Sequence, residues 1–286
     1  MKRIGFIGVG IMGKSMVRNL MKAGYEVSIF ARNKEKVLDV ISEGAIFTES
    51  IKECVQNQEV VITIVGFPKD VEEVYFTENG ILSSVVAGTY VIDMTTTSPK
   101  LAKRIYEEAK NKGVHALDAP VTGGDTGARN GTLSILVGGN EKDYEVCKPI
   151  FEAMGTTIVY EGAPGNGQHT KMANQIAIAG AVAGMCEAYE YAVKEGLDLD
   201  KMFASISKGA ASSAQMTGLM PRIFEGDLAP GFFMKHFIKD MKIAVEEADE
   251  KELQLDILKK VLSMYEHLEE KGYGELGTQA LVKYYE

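Results

Sequence analysis

An apolar run that leads directly into three closely spaced glycines constrains this chain more than any other feature. Residues 3–13 read Arg-Ile-Gly-Phe-Ile-Gly-Val-Gly-Ile-Met-Gly, so a short hydrophobic strand ends at Gly8, Gly10 and Gly13. The first glycine permits a tight turn, the second a close approach of a pyrophosphate, and the third close packing of the next helix. The amphipathic pattern over residues 11–23 supplies that helix, whose N-terminal N–H groups would face the anion. The motif predicts a dinucleotide site; a tight strand-to-helix turn without a ligand is the alternative.

The second predicted strand, residues 26–31, bears on which dinucleotide is bound. It ends at Ala31, where an acidic residue usually accepts hydrogen bonds from the adenosine ribose, and Arg32 and Asn33 follow. An acid at this point would repel a 2′-phosphate, whereas an arginine binds one through charge-assisted hydrogen bonds. The sequence therefore favours NADP over NAD. The alternative is that Arg32 is a solvated loop cation.

Composition excludes several classes of partner and site. The chain has 286 residues and a formal net charge of −9, with no cluster of Lys and Arg, so nucleic acid and anionic membrane are poor partners. Its three cysteines are far apart and form no CxxC pair, so neither disulfides nor a metal site is expected. The first strand begins by residue 3, which leaves no room for a signal peptide, and the apolar run 176–186 is too short to span a bilayer. We therefore expect a cytoplasmic protein.

Strand and helix patterns alternate over about the first 160 residues and then give way to helices alone. This order predicts an α/β fold, in which a Rossmann-type domain with a mostly parallel sheet is followed by an all-α domain. The predicted domains are 1–163, for NAD(P) binding, and 164–286, for substrate binding and dimerisation. The strand patterns cover 60–65, 90–93, 114–116, 133–137 and 156–160. The helix patterns cover 34–42, 71–76, 99–112, 141–154, 169–195, 198–208, 214–224, 235–250 and 253–271.

The first C-terminal helix pattern, 169–195, is small and apolar nearly all round because alanine and glycine dominate it. We expect such a helix to be buried on all sides. A helical domain of this modest size would need a second subunit to cover part of it, which predicts a homodimer or homotetramer.

Thr122, Gly123 and Gly124 follow a predicted strand at the carboxyl edge of the sheet, where open α/β sheets bind ligands. A hydroxyl followed by two unencumbered backbone N–H groups makes a small anion cradle that suits a carboxylate. An ordinary Gly-Gly turn is the alternative.

Two further groups of residues carry reactive or charged side chains. Lys171 and Asn174 lie three residues apart near the start of the apolar helix and so share one face. A lysine there needs a partner or a role, although it can also snorkel to the surface. Phe232, Lys239 and Asp240 form the second group; Asp240 would support a catalytic ammonium and Lys239 would reach a cofactor phosphate. A charged helix face is the alternative for this second group.

Taken in order along the chain, these motifs closely resemble the β-hydroxyacid dehydrogenase family over essentially its whole length. That family includes 3-hydroxyisobutyrate dehydrogenases, tartronate semialdehyde reductases and glyoxylate/succinic semialdehyde reductases. The resemblance is carried by residues 6–13 with Asn19, the blocks 93–96, 118–124 and 165–175, and Lys239-Asp240.

The resemblance implies a Rossmann domain followed by a helical domain, with Lys171 as the general acid/base. It also implies that Thr122, Gly123, Gly124 and Asn174 hold a substrate carboxylate and that Phe232 and Asp240 border the substrate. The residues assigned to the cofactor are Gly8, Gly10, Ile11, Met12, Gly13, Arg32, Asn33, Val65, Thr96 and Lys239. Thr122 stands where the family usually has serine, which adds a methyl group to the site.

The expected reaction is hydride transfer between NADP(H) and a small 3-hydroxy acid or semialdehyde acid, without a metal. An NAD-dependent 3-hydroxyisobutyrate dehydrogenase working in the oxidative direction is one alternative. A non-catalytic dinucleotide-binding scaffold is the other.

Overall fold

The short apolar runs of the N-terminal half form one nine-stranded sheet. In the computed structural model, which describes residues 1–286, the strands lie side by side in the order β3-β2-β1-β4-β5-β6-β8-β7, and β9 pairs with β8. The strands are β1 Arg3–Ile7, β2 Glu26–Phe30, β3 Ile46–Phe47, β4 Val60–Thr63, β5 Tyr90–Asp93, β6 His115–Asp118, β7 Val121–Thr122, β8 Leu133–Gly139 and β9 Gly155–Gly162.

Alternation of side chains along the central strands gives the sheet a core on each face. Ile62 of β4 and Ile92 of β5 belong to one buried cluster, whereas their neighbours Val61 and Val91 belong to the other. Successive side chains of a strand point to opposite faces, so a strand covered by helices on both faces is apolar throughout. This explains why β4 is buried at every position.

Helices connect the strands of this unit. They are α1 Ile11–Lys22, α2 Leu38–Ser42, α3 Ile51–Val55, α4 Pro68–Phe76, α5 Ile81–Ser84, α6 Pro99–Asn111, α7 Gly124–Asn130 and α8 Glu141–Glu152, with a 3-10 helix at Lys34–Val37. Polar caps fix several of the starts: the Ser98 hydroxyl accepts a hydrogen bond from Leu101 N–H at α6, and Asn140 Oδ1 accepts one from Lys142 N–H at α8. Such caps satisfy backbone donors that have no partner inside the helix.

The sheet departs from a parallel arrangement at β8, which is antiparallel to both β6 and β7. The segment between Thr122 and Leu133 is shorter than the dozen residues that a parallel crossover needs, so the chain reverses direction there. The predicted fold class, a mostly parallel Rossmann-type sheet followed by helices, is confirmed.

The chain divides into two units, Met1–Lys171 and Met172–Glu286. The second unit is helical and has a methionine-rich core that includes Met216, Met220, Met241 and Met264. Its elements are most of α9 Asn166–Lys194, then α10 Leu199–Ile206, α11 Ala214–Phe224, α12 Met234–Asp249, α13 Asp256–Glu270 and a 3-10 helix at Thr278–Tyr284. The division falls inside α9, whereas the sequence predicts a domain boundary after residue 163, which remains a prediction.

The expectation that α9 is buried on all sides is wrong for the single chain. Ala173, Ala177 and Gly184 are exposed and lie on one face, while Val182 and Cys186 are fully buried on the other. A Cβ atom built at Gly184 would meet no atom within 4 Å. Small residues occupy both faces, so the sequence pattern contains no contrast that distinguishes the packed face from the open one.

By length and composition alone, α9 is long and apolar enough to cross a membrane. The expectation that no segment spans a bilayer rests on the apolar run 176–186 alone. The helix has 29 residues, so that ground for excluding a span is wrong. One such helix is weak evidence for a membrane protein, because the core helix of a soluble protein meets the same criterion.

Candidate active site

The turn after β1 needs glycine at two of its three glycine positions for reasons of backbone packing. Gly8 has a φ of +99°, and a Cβ atom there would lie 2.1 Å from the Ile64 carbonyl oxygen. A Cβ atom at Gly13 would lie 2.1 Å from the Gly8 carbonyl oxygen. Gly10 differs, because its φ of −85° suits any residue and a Cβ atom there would meet nothing within 4 Å. Packing within the chain therefore does not require glycine at Gly10, whereas close approach of a pyrophosphate to the backbone would favour it.

The N-terminus of α1 suits a negatively charged ligand. Its N-cap is Gly10, no side chain caps it, and its first turn, which includes Ile11, Met12 and Gly13, has no acidic residue. The first N–H groups of a helix lack intrahelical partners and carry partial positive charge. The residues present therefore fit the pyrophosphate of a dinucleotide.

Arg32 and Asn33 follow β2 and have different surroundings. The Arg32 side chain is 84% exposed, and its Nη1 lies 3.9 Å from a carboxylate oxygen of Asp70. Asn33 Oδ1 instead accepts hydrogen bonds from Glu35 N–H at 2.9 Å and Lys36 N–H at 3.4 Å, and so caps the 3-10 helix. The geometry thus gives Asn33 a structural role, while Arg32 is accessible to a phosphate.

The carboxyl ends of β4 and β5 are joined by a buried hydrogen-bond network that sequence reasoning missed. Asp93 Oδ1 accepts hydrogen bonds from Thr63 Oγ1 at 2.8 Å and from Thr95 N–H at 3.1 Å. Thr95 Oγ1 in turn accepts one from Val65 N–H at 3.0 Å. The network holds together the two loops that carry Val65 and Thr96, both assigned to the cofactor.

Burial raises the pKa of Asp93 from 3.8 to about 6, although its hydrogen bonds with Thr95 and Thr63 oppose this shift. The carboxylate of Asp118, which lies opposite Asp93 on the neighbouring strand β6, raises it further. Burial also raises the pKa of Asp118, against the hydrogen bonds that this carboxylate accepts from backbone N–H groups. In the sequence, buried carboxylates of this kind can be recognised as acidic residues at the end of an apolar strand.

Thr122 and the two glycines after it lie between β7 and α7. Gly123 is the N-cap of α7 with a φ of +122°, and Gly124 has a φ of +63°. Two successive residues in this region require glycine, since L side chains rarely adopt such a backbone. The backbone therefore requires glycine at both positions. A backbone anion cradle has this requirement, but an ordinary turn can also require glycine at one position.

Lys171 lies in the second turn of α9 and is only 6% exposed. A lysine that snorkels to the surface keeps its charged end in water, which this degree of burial does not permit. Asn174 follows one helical turn later on the same face and is partly buried. The alternative of a surface lysine is therefore disfavoured.

Asn174 is the first member of a hydrogen-bonded chain within the helical unit. Its Nδ2 donates to Gln175 Oε1 at 2.7 Å, and Gln175 Nε2 donates to Asp240 Oδ2 at 2.7 Å. The other Asp240 oxygen lies 2.8 Å from Lys239 Nζ, and Asp240 is fully buried. This series of contacts links Asn174 to Asp240 and Lys239 through Gln175. Sequence reasoning missed the role of Gln175.

Phe232 lies just before α12 and is 38% exposed. Its ring stacks near that of His236, with centroids 6.4 Å apart, and meets Phe237 edge to face at 6.1 Å. Burial lowers the pKa of His236, and the nearby cations Lys239 and Lys235 lower it further. His236 is thus favoured in its neutral form beside Phe232.

Two family models together match nearly the whole chain. Residues 3–162 match the NAD binding domain of 6-phosphogluconate dehydrogenase. Residues 165–285 match the domain described as NAD-binding of NADP-dependent 3-hydroxyisobutyrate dehydrogenase. Fold and site thus define an NAD(P)-dependent oxidoreductase.

Individual relatives agree with the family models. The chain is 49% identical to an uncharacterized oxidoreductase of Bacillus subtilis, over 99% of this chain and 98% of that protein. It is 34% identical to the NAD-dependent L-serine dehydrogenase of Pseudomonas aeruginosa (100% and 98% covered) and to the 2-hydroxy-3-oxopropionate reductase of Escherichia coli (98% and 96%). The crystal structure of a 3-hydroxyisobutyrate dehydrogenase from Salmonella typhimurium is similar with a TM-score of 0.90 at 25% identity, over 99% of each chain.

The chain belongs to the β-hydroxyacid dehydrogenase family. It is accordingly an NAD(P)-dependent enzyme, which confirms the expected class and sets aside the alternative of a non-catalytic scaffold.

Proposed function

We propose that this enzyme uses NADP(H) to reduce a short semialdehyde acid, of the glyoxylate, succinic, tartronate or methylmalonate semialdehyde class, with Lys171 as general acid/base. The observation that carries the proposal is the burial of Lys171 one helical turn before Asn174 on α9. A buried ammonium and an amide on one helix face suit an oxygen that gains charge and a proton during reaction.

The chemistry assigned to the protein is proton transfer and charge stabilisation. The bound nicotinamide supplies a hydride to the carbonyl carbon of the substrate. The Lys171 ammonium stabilises the negative charge that develops on the carbonyl oxygen and donates its proton there. In the reverse direction the Lys171 amine accepts the hydroxyl proton.

A carboxylate on the substrate is assigned to the segment after β7. Thr122 Oγ1 and the backbone N–H groups of Gly123 and Gly124 are its proposed donors, and the Asn174 amide is proposed as a further ligand. Phe232 and Asp240 are proposed to border the rest of the substrate. The methyl group of Thr122 narrows the site relative to serine, which favours a short acid.

The cofactor is assigned to the turn after β1 and to the loops that follow β4 and β5. Gly8, Gly10, Ile11, Met12 and Gly13 are proposed to hold the pyrophosphate. Val65, Thr96 and Lys239 are proposed to line the remainder of the cofactor. Asn33, whose side chain caps a 3-10 helix, is left to contribute through its backbone.

Arg32 is proposed as the ligand of a 2′-phosphate, because it is exposed and follows an alanine where an acid would select NAD. The second candidate, oxidation of a 3-hydroxy acid with NAD, is favoured by the Asp70 carboxylate 3.9 Å from Arg32, which competes for the guanidinium. The relative that is an NAD-dependent L-serine dehydrogenase supports the same alternative.

One kinetic experiment distinguishes these candidates. The purified enzyme is assayed with glyoxylate and the three semialdehydes in the reductive direction, and with L-serine and 3-hydroxyisobutyrate in the oxidative direction, using both cofactors. We expect the highest kcat/KM for a semialdehyde acid with NADPH. A higher value for oxidation of a 3-hydroxy acid with NAD would establish the second candidate instead.

Lys171→Ala tests the assignment of the general acid/base. Loss of this group costs about 10²–10⁴-fold in rate, and loss of its charge places the effect at the upper end. NADPH affinity, measured by fluorescence titration, should stay close to that of the wild type. The matched control is Lys142→Ala, an exposed lysine on α8. A Lys171→Ala enzyme that retains a tenth of the wild-type kcat would contradict the assignment.

Arg32→Asp tests the cofactor assignment. One charge-assisted hydrogen bond is worth about 1.5–3 kcal/mol, so the KM for NADPH should rise about ten- to a hundredfold while that for NADH changes less. Arg104→Asp, at another exposed arginine that is ion-paired with Glu72, is the control. Equal responses of the two cofactors would show that Arg32 does not bind the phosphate.

We also propose that the enzyme is a cytoplasmic homodimer or homotetramer that binds neither nucleic acid nor membrane. The open face of α9, with Ala173, Ala177 and Gly184 exposed, supports assembly because small residues allow helices to approach closely. Fractionation of the source cells tests the location; recovery in the membrane pellet would contradict it.

A further inference from the structure

A single glutamine links the start of α9 to the loop after β5. Gln168 is fully buried, and its Nε2 donates a hydrogen bond to the Thr95 carbonyl at 2.8 Å. Its Oε1 accepts one from Thr97 N–H at 3.0 Å. The two backbone groups fix the orientation of this amide, because a carbonyl needs a donor and an N–H needs an acceptor. Thr96 lies between the two anchored residues.

The turn of α9 that carries Gln168 is itself anchored to the sheet. The Asp118 carboxylate at the end of β6 accepts hydrogen bonds from Gly165 N–H at 2.7 Å and from Gln168 N–H at 3.0 Å. A Cβ atom at Gly167 would lie 2.3 Å from the Leu136 carbonyl oxygen, so the turn packs directly against the backbone of β8. This first turn of α9 therefore has little freedom to shift.

Lys171 lies three residues after Gln168 on the same helix, about 4.5 Å further along its axis. The Gln168 side chain is thus a short, fully hydrogen-bonded connection between the helix turn that leads to Lys171 and the loop that contains Thr96. A displacement of about 1 Å between reacting groups can cost roughly 10²-fold in rate.

We propose that Gln168 is a positioning residue, which sets the cofactor loop Thr95–Thr97 in register with the turn of α9 that carries Lys171. The inference rests on the proposed function, because the roles of Thr96 and Lys171 come from there. Gln168 acts through its neighbours and touches neither substrate nor cofactor in this assignment.

Gln168→Met removes both side-chain hydrogen bonds while keeping nearly the same volume and shape. It leaves the Thr97 N–H and the Thr95 carbonyl buried without partners. Each unpaired group shifts the equilibrium between the closed and the opened, solvated loop about 5- to 150-fold toward the opened form. We expect faster amide hydrogen exchange in residues 94–98 of the cofactor-free protein, NADPH binding weakened about tenfold or more, and kcat lowered about 10- to 100-fold. The exchange and binding measurements need no turnover.

Gln168→Glu separates positioning from a purely structural role. A neutral glutamic acid can donate to the Thr95 carbonyl and accept from Thr97 N–H, as glutamine does, whereas the carboxylate cannot donate. Burial beside a carbonyl oxygen favours the neutral acid. The kcat of this variant relative to wild type should therefore rise at least severalfold as the pH falls from 8 to 6, and NADPH affinity should recover in parallel.

Gln58 provides the matched control, since it is a partly buried glutamine just before β4, at the opposite end of that strand from Val65. Its Nε2 makes a single side-chain hydrogen bond, to Ser28 Oγ at 3.2 Å. Gln58→Met and Gln58→Glu should leave NADPH affinity and kcat within about twofold of wild type, with no recovery at low pH.

The outcomes distinguish this inference from the proposed function. If the wild type reduces none of the semialdehydes, the proposed function fails, while hydrogen exchange and NADPH affinity still test the connection made by Gln168. If Gln168→Met changes the exchange of residues 94–98 but neither NADPH affinity nor kcat, the residue is only structural and the inference is overturned. A Gln168→Glu variant whose kcat relative to wild type is flat with pH overturns it as well.

Discussion

The buried carboxyl of Asp93 makes the stability of the Rossmann unit depend on pH in a direction that follows from its surroundings. Its pKa is raised from 3.8 to about 6, mainly by burial. A folded-state pKa above the unfolded value means that folding favours the protonated form. The associated stabilisation is fully present below pH 3.8 and is lost as the pH rises through 6. Two pKa units correspond to about 3 kcal/mol.

Asp93→Asn removes this titration while retaining the acceptor. The amide oxygen of the variant can still accept hydrogen bonds from Thr63 Oγ1 and Thr95 N–H, which Asp93 Oδ1 accepts at 2.8 and 3.1 Å. The other carboxylate oxygen, Oδ2, is buried without a hydrogen-bond partner. Asp93 and Asp118 both line a small cavity of about 10 Å³. An amide nitrogen in that position adds a cost that does not depend on the ionisation of Asp93. The change of stability with pH is therefore the informative quantity.

We expect the difference in unfolding free energy, Asp93→Asn minus wild type, to rise by about 2.4 kcal/mol between pH 4 and pH 8, because a small part of the wild-type stabilisation is already lost at pH 4. Urea titrations followed by circular dichroism at several pH values measure it. A pH-independent offset added to this rise is compatible with the reasoning. A difference that changes by less than about 0.5 kcal/mol over this range would refute it, because it would mean that the folded protein holds Asp93 ionised without penalty.

Asp39 provides a comparison of opposite sign. Hydrogen bonding to Lys14 and Arg18 lowers its pKa from 3.8 to about 2. The stabilisation from this carboxylate is present above pH 3.8 and is lost as the pH falls through 2, so Asp39→Asn should not alter stability between pH 5 and 8 through titration. Because Asp39 is exposed and its partners Lys14 and Arg18 are partly exposed, solvent screens the ion pairs and the effect at low pH should be small.

Elements with a clear apolar pattern can be predicted from the sequence because their patterns are set by burial. The strand β5 at Tyr90–Asp93 and the helix α11 at Ala214–Phe224 agree with the patterns residue for residue. The elements that sequence reasoning missed are short: β3, β7, α3, α5 and α7. The seven residues of α7, Gly124–Asn130, have no apolar periodicity, and the helix is held by contacts of its surroundings instead.

Prediction of the candidate site has a different limit. Lys171 and Asn174 stand out because a charged or amide side chain in an apolar helix needs a reason. Asp240 lies in a helix with many charged residues, so only the family resemblance singles it out. The hydrogen bonds that connect such residues depend on distances between segments far apart in sequence, as for Gln175 and Asp240, so no local pattern reveals them. Which face of α9 is open in the single chain could not be predicted for a related reason, since composition does not say which face meets a neighbour.

Three further predictions test the turn after β1, the helical core and the open face of α9. Gly13→Ala should weaken NADPH binding at least tenfold in fluorescence titrations, because its Cβ atom would lie 2.1 Å from a backbone oxygen. Tyr265→Phe should lower the unfolding free energy by about 1–3 kcal/mol in urea titrations, because the hydroxyl donates a buried 2.6 Å hydrogen bond to the Thr278 carbonyl. Gly184→Arg should convert the proposed dimer or tetramer into smaller species, since a long charged side chain on the open face of α9 prevents a second helix from approaching. Nothing within the chain lies within 4 Å of the added Cβ atom, and replacing glycine in a helix favours the helix by up to about 1 kcal/mol, so misfolding would not explain dissociation. Light scattering measures the mass, with Gly184→Ala as the control that keeps the face small; a wild type with the 31.1 kDa mass of the single chain, or a Gly184→Arg protein with unchanged assembly, would contradict the role of this face.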